Sequence, residues 1–320
     1  MNFVLSEMTF LRYYMPLIIE AKSRGHRSKL FVGSNNKYNN PRFFMGHLEE
    51  LSSVYKFEIL DIKHVHECTG LTFLIEGVDH KRLDPSKTTS VSMTYMTDYS
   101  SLYDSYIDNV DYVIFPSEYF ADIYDKKSSK NLYLGSPKYD LFLEDEEIKS
   151  KYNLTDNKKA LIIYPRNRDK NKINLSAIYS NLKDFGYDIL VKSRGKDPIY
   201  EQAHKGDAYY SDKSWFPHTT MELIKISDVI VNFNSTSIKE CVLMKKPLLN
   251  FDIKPWMPLD ELYDYDYCRR CPVNFADKEF KESVEYLAKT DLSDSFDIAI
   301  RNHLFDGNSS KRILDYLGVS

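Results

Sequence analysis

Residues Ser227–Asp252 read SDVIVNFNSTSIKECVLMKKPLLNFD. Asp228–Val231 is a short β-branched run bounded by polar residues, the pattern of a parallel strand covered on both faces. Asn232, Asn234, Ser235, Thr236 and Ser237 then follow almost without interruption. From Ile238 onward, Ile238, Cys241 and Val242 recur at helical spacing. Lys245-Lys246-Pro247 ends that helix, because proline cannot continue it and the lysines suit its negative end. Leu248–Phe251 is the next buried strand. A hydroxyl-rich turn between a strand and a helix offers backbone N–H groups, side-chain donors and a positive dipole end, which suits a diphosphate. Glu240 lies one turn inside the helix, within reach of a ribose. An ordinary N-cap at Ser235 or Thr236 and a solvated glutamate use the same residues, so the turn alone leaves both readings open.

Working outward, the same alternation recurs. Upstream, Lys159–Tyr164 is a strand ending in Pro165-Arg166-Asn167-Arg168-Asp169, 173–185 is a helix stopped by Gly186, and Asp188–Lys192 is a strand running into Ser193-Arg194-Gly195-Lys196. Arg166, Arg168, Lys192 and Arg194 therefore fall just after apolar strands, where cations neutralise a diphosphate, although charged loop residues are also often simply solvated. His218-Thr219-Thr220-Met221-Glu222 has capping-box spacing, with His218 open to either a nucleotide contact or a loop role. At the other end of the chain, Asn2–Leu5, a polar turn over Ser6–Thr9, an amphipathic helix closed by Gly25 and the strand Lys29–Val32 form a β-α-β unit, which predicts a parallel, doubly wound sheet. Residues 34–88 read as less regular, with a helix near 43–53 and a strand near 57–62. Thr89–Tyr95 and Asp111–Phe115 are strands around a helix over 102–109, and Asn131–Gly135 closes the series. Asp98 and Glu7 both follow strands in this half and are the candidate proton acceptors there, with turn capping and a first-turn acid as their structural alternatives.

Three motifs carry a resemblance. SDVIVNFNSTSIKECVLMKKPLLNFD, Gly135-Ser136-Pro137-Lys138-Tyr139-Asp140 and Phe305-Asp306-Gly307-Asn308-Ser309-Ser310-Lys311-Arg312 are similar to segments of GT-B nucleotide-sugar enzymes. The branch concerned holds non-hydrolysing UDP-GlcNAc 2-epimerases, CDP-glycerol glycerophosphotransferases and surface-polysaccharide glycosyltransferases. The resemblance implies two doubly wound Rossmann-like domains facing a cleft. An acceptor-binding domain would span 1–145, a nucleotide-sugar domain 158–300, and a tail helix over 301–320 would pack back on the first domain. It further implies that Asn234, Ser235, Thr236 and Ser237 bind the donor's phosphates with Arg166, Arg168, Lys192 and Arg194, that Glu240 holds the ribose, and that His218 falls in a segment near the nucleotide's base. Two departures narrow the choice: Leu5-Ser6-Glu7-Met8-Thr9 lacks the arginine and proline of the epimerases' G-T-R-P-E turn, and Lys192-Ser193-Arg194-Gly195 lacks the histidine of the glycerophosphotransferases' K-P-H-P.

Composition bounds the rest. The 320 residues, 42% of them hydrophobic, suffice for two cores. A net charge of −4 gives no general attraction to nucleic acid or anionic membranes. No apolar run approaches the roughly 20 residues of a membrane helix, and the first 30 residues lack a signal-peptide pattern, so a cytoplasmic protein is expected. Four cysteines are too few for a disulfide framework. Cys268-Arg-Arg-Cys271 has no second pair, and His64, His66 and His80 have no completing carboxylate pattern, so no metal is expected. With the resemblance, the chain is expected to be a metal-independent glycosyltransferase without a cofactor, using a nucleoside-diphosphate sugar as donor and a glycan or other hydroxyl as acceptor. Epimerase or polyol-phosphate transfer, and a non-catalytic nucleotide-sugar binder, are the alternatives. The oligomeric state is not readable from sequence.

Overall fold

Buried, β-branched strands alternating with helices can pair only in parallel, since each helix returns the chain to the same sheet edge. The computed structural model has this arrangement twice. It describes the chain apart from residues 34–40, 96–102, 124–125, 141–143, 167–168, 194–198, 200–204, 212–214 and 254–259. Asp98, Arg168 and Arg194 lie outside the described residues. The chain divides into one unit of Met1–Leu141 with Asn302–Ser320 and a second of Phe142–Arg301.

The first unit holds strands β1 (Asn2–Leu5), β2 (Lys29–Val32), β3 (Glu58–Asp61), β4 (Gly70–Ile75), β5 (Thr88–Met93), β6 (Tyr112–Phe115) and β7 (Asn131–Tyr133), numbered along the chain. Its helices are α1 (Leu11–Ser23), α2 (Pro41–Tyr55), α3 (Tyr103–Tyr106), α4 (Glu118–Asp122) and, from the far end of the chain, α12 (Ser309–Tyr316). The sheet order is β3-β2-β1-β4-β5-β6-β7, all parallel. Strand order reverses between β1 and β4, which is where open α/β sheets leave a crevice. β4 corrects the expectation of an irregular 34–88 stretch: Phe73–Ile75 is a short apolar run with no alternation, because both faces are covered, and periodicity alone does not tell it from a core helix fragment. The helix expected over 102–109 is a single α-turn followed by a 3-10 turn at Ile107–Asn109.

α12 packs against α1 and the turn Pro137–Tyr139. Its first two N–H groups, Ser309 (2.9 Å) and Ser310 (2.6 Å), donate to the Asp140 carboxylate. The Arg312 guanidinium donates to the Leu134 carbonyl at 3.1 Å, and Arg24 on α1 reaches Asp315 at 2.7 Å and the Val319 carbonyl at 2.6 Å. Phe305, Ile313 and Leu314 are fully buried there.

The second unit contains β8 (Lys159–Ile163), β9 (Asp188–Lys192), β10 (Ala208–Tyr210), β11 (Val229–Asn232), β12 (Leu248–Phe251) and β13 (Cys268–Cys271). Its helices are α5 (Asp145–Tyr152), α6 (Leu175–Asp184), α7 (Thr219–Lys225), α8 (Ile238–Leu243), α9 (Asp260–Tyr263), α10 (Asp277–Lys289) and α11 (Ser293–His303). The order β10-β9-β8-β11-β12-β13 is again parallel throughout and reverses between β8 and β11. β13 lies at one side of this sheet. It is an edge strand whose exposed Arg269 and Arg270 block further pairing. Cys268 and Cys271, three apart on a strand, point to opposite faces, and burial pushes the Cys271 thiol up to about 11. That geometry keeps the two free thiols apart.

The Thr219/Glu222 capping box does not form. His218 occupies the N-cap of α7 without a side-chain cap. Glu222, 3% exposed, instead accepts from Lys151 Nζ at 2.7 and 2.9 Å and from the Tyr152 hydroxyl at 2.5 Å. α5 is thereby fastened to α7.

Candidate nucleotide-binding site

In the second unit, β8, β9 and β11 are neighbours, with Ile163 level with Lys192 and Val231 level with Ile162. Their carboxyl ends therefore deliver Arg166, Lys192 and the turn Asn232–Ser237 to the same end of the sheet, on both sides of the β8/β11 reversal. Sequence reasoning expected this grouping, and the topology brings it together. Arg166 is half-buried, and its carbonyl accepts from the N–H groups of Asp169 (2.8 Å) and Lys170 (3.0 Å). Lys192 is 3% exposed, and its ammonium donates to the Ser193 carbonyl at 2.5 Å. A cation held at a strand end in this way adds positive potential close to the turn.

The turn is built from side-chain amides. Asn232 and Asn250 face each other across β11 and β12. Asn232 Nδ2 donates to Asn250 Oδ1 at 2.9 Å and to the Tyr263 hydroxyl at 3.2 Å. The Ser235 carbonyl accepts from Tyr263 Oη at 2.9 Å, Asn232 Nδ2 at 3.3 Å and the Ile238 N–H at 3.3 Å. Asn234 adopts the left-handed conformation at φ +47°, which asparagine tolerates better than most residues.

Asn234 is 2% exposed. Its Nδ2 donates to Asp252 at 3.1 Å and its Oδ1 accepts from the Ile253 N–H at 2.7 Å, so its amide is engaged in the turn's own framework. Ser235 and Ser237 are half-buried with their hydroxyls 3.2 Å apart, and Thr236 is exposed at the apex. These three hydroxyls are the groups the turn presents outward. Glu240, one turn into α8, is 2% exposed, which removes the reading of a solvated glutamate. His218 is 8% exposed, and its carbonyl accepts from the N–H groups of Met221 and Glu222.

In the first unit, Glu7 follows β1, half-buried, and accepts from the Thr9 hydroxyl at 3.2 Å. Two further carboxylates at the same sheet end were missed because β4 was missed. Glu76 accepts from the Tyr95 N–H at 2.8 Å, and Asp79 accepts from the Ser6 hydroxyl at 2.5 Å and from Arg82 at 2.7 Å. Both have positive φ, +49° and +66°. The signal was available in Phe73–Asp79, an apolar run that breaks into acid-glycine-valine-acid.

No family model and no curated protein matches the sequence. Solved structures do. The chain superposes on a putative UDP-N-acetylglucosamine 2-epimerase from Listeria monocytogenes with TM-score 0.70 and 10% identity, covering 99% of this chain and 95% of that one. The fold is GT-B. The UDP-GlcNAc 2-epimerase from Neisseria meningitidis, solved bound to UDP-GlcNAc, gives TM-score 0.69 and 14% identity over 100% of both chains. The wall teichoic acid polymerase TagF, in a structure soaked with CDPG, gives 0.65 and 16% over 99% of this chain and 88% of that one. Among the described residues, parallel sheets of seven and six strands form the two Rossmann-like domains of this fold. No helix among the described residues is long and apolar enough to cross a membrane.

Proposed function

We propose that the chain is a metal-independent glycosyltransferase that moves a sugar from a nucleoside-diphosphate sugar to an acceptor hydroxyl, in glycan or surface-polysaccharide synthesis. The observation that carries this reading is the convergence of Arg166, Lys192 and the Ser235–Ser237 hydroxyls at the β8/β11 reversal, in a fold whose solved examples include a UDP-GlcNAc complex. In this reading Ser235, Thr236 and Ser237 donate to the diphosphate, Arg166 and Lys192 balance its charge, and Glu240 holds the ribose. Arg168, Arg194 and His218 are proposed to join them.

The acceptor oxygen attacks the anomeric carbon, the bond from that carbon to the diphosphate oxygen breaks, and the nucleoside diphosphate leaves with the electron pair. Fixed cations and turn donors stabilise the charge that develops on it, the role a divalent ion plays in other transferases. The acceptor's proton passes to a carboxylate, for which Glu7 and Asp98 are the proposed groups.

An epimerase reading has the two epimerase folds in its favour and the Leu5–Thr9 turn against it. One experiment separates the two. The protein is incubated with UDP-, CDP- and GDP-sugars, with and without a mixed pool of hydroxyl acceptors, and products are read by NMR. Transfer predicts release of nucleoside diphosphate that depends on acceptor. An isomerised nucleotide sugar formed without acceptor would replace the transferase reading with the epimerase one.

A further inference from the structure

The turn that the proposed reading uses for phosphate is held in shape by residues outside it. Asn250, at the end of β12, accepts on Oδ1 from the Asn234 N–H at 3.0 Å and from Asn232 Nδ2 at 2.9 Å. A backbone N–H can only donate, so the Asn250 amide has one orientation, and its Nδ2 faces Asp252 Oδ1 at 2.9 Å. The Ile253 N–H fixes Asn234 in the same way, with Oδ1 toward Ile253 and Nδ2 toward the same Asp252 oxygen at 3.1 Å. Asp252 Oδ2 accepts from Arg270 Nε at 2.9 Å, and Arg270 Nη1 reaches Asp264 at 3.1 Å. Both Asp252 oxygens are thus acceptors by construction, and the carboxylate collects two amides and a guanidinium.

We infer that Asp252 and Asn250 are positioning residues for the phosphate turn, acting through Asn234. Their hydrogen bonds hold Asn234 in a left-handed conformation that is otherwise disfavoured. That conformation sets the direction in which the backbone and hydroxyls of Ser235, Thr236 and Ser237 face. Arg270 on the edge strand orients Asp252 through its Nε bond. This inference rests on the nucleotide-sugar reading above and extends it to residues that touch no ligand.

The chemistry distinguishes this role from simple fold maintenance. In Asp252→Asn, one oxygen remains for the Asn234 and Asn250 amides only if an amide N–H is turned toward Arg270 Nε–H, placing two donors together. The opposite orientation sets a donor against two donors. Either way the turn loses its template while the strand ends keep their side-chain volume.

The test is calorimetric titration of the wild type, Asp252→Asn and Asn250→Ala with UDP, CDP and GDP and with the corresponding monophosphates. The ratio of diphosphate to monophosphate affinity is the readout, because a loss of folded protein lowers both affinities together and leaves the ratio alone. The expected result is a diphosphate affinity reduced roughly 10- to 100-fold in both variants, as loss of supporting residues behind a binding group typically costs, with a smaller change for the monophosphate. If the wild type binds a diphosphate and the ratio is unchanged in both variants, the positioning role is overturned while the nucleotide-sugar reading stands. If the wild type binds no diphosphate, both fall. Should Asp252→Asn fail to fold, Arg270→Met, at an exposed edge-strand position, removes the charge partner of Asp252 and carries the same prediction and the same refutation.

Discussion

The carboxylate of Asp140 accepts the backbone N–H of Ser310 at 2.6 Å across 170 residues of sequence, and that of Ser309 beside it. The two ends of the first unit's chain are joined there by a helix cap. Asp140 closes the Gly135–Asp140 motif and Ser309-Ser310 lies in the Asp306–Arg312 motif, so two short patterns far apart in sequence are halves of one junction. Removing the cap in Asp140→Ala should destabilise the first unit by about 1–3 kcal/mol, the cost of leaving two buried N–H groups without an acceptor. Urea denaturation followed by fluorescence checks this.

The same carboxylate gives a signed pH dependence. Burial is the largest influence on Asp140 and raises it above the usual carboxylate value, against the opposing bonds from Ser310 and Ser309. A group raised in the folded state contributes stability that is fully present below its unfolded value and is lost as pH rises through the folded one. The stability of the wild type relative to Asp140→Asn should therefore improve as pH is lowered from neutrality toward 4. A difference that shrinks over that range would contradict the assignment.

Gly135 stands where the tail comes closest. At φ +87°, a Cβ there would lie 2.3 Å from Ser309 Oγ and 2.7 Å from Arg312 Nη2. Gly135→Ala combines a disfavoured backbone conformation with overpacking and should cost about 2–4 kcal/mol. Limited proteolysis should then cut the variant within residues 302–320 before the wild type is cut there.

Glu222 should matter to stability through α5 rather than through its own helix start. Tyr152→Phe removes only the hydroxyl that donates to it and should cost about 1–2 kcal/mol. Glu222→Ala should cost more, because it leaves that hydroxyl and Lys151 without their shared acceptor. A capping-box role would predict the reverse insensitivity, with Tyr152→Phe neutral; denaturation midpoints of the two variants decide between them.

Legibility in the sequence followed periodicity. Val229–Asn232, Leu248–Phe251 and the Asn2–Val32 unit announce themselves because their apolar runs are bounded by polar turns, and they suffice for two parallel sheets. Gly70–Ile75 and Cys268–Cys271 did not, the first being covered on both faces and the second an edge strand carrying two arginines. The grouping of strand ends was readable where residue type and position coincide, as at Lys192 and Ser235–Ser237, which the topology brings to the same end of the sheet. Asn250 and Asp252 gave no signal, because an amide and an acid at a strand end look like ordinary strand termination until Asn234 is seen bonded to both. Glu222 misled for a related reason: spacing proposes a local partner, and the buried carboxylate found a distant one in Lys151 and Tyr152.

In the proposed reading the Ser235–Ser237 turn, with Glu240 behind it, binds a nucleoside diphosphate. Titrating the wild type and Glu240→Ala with UDP, CDP and GDP, with melting temperature followed in parallel, tests it most directly. The expected result is that one of the three binds the wild type and raises its melting temperature, and that Glu240→Ala loses about tenfold or more in affinity, at least 1.4 kcal/mol or so, while ligand-free melting stays close to wild type. Absence of binding by all three, or a Glu240→Ala protein that unfolds early yet binds as the wild type does, would contradict it.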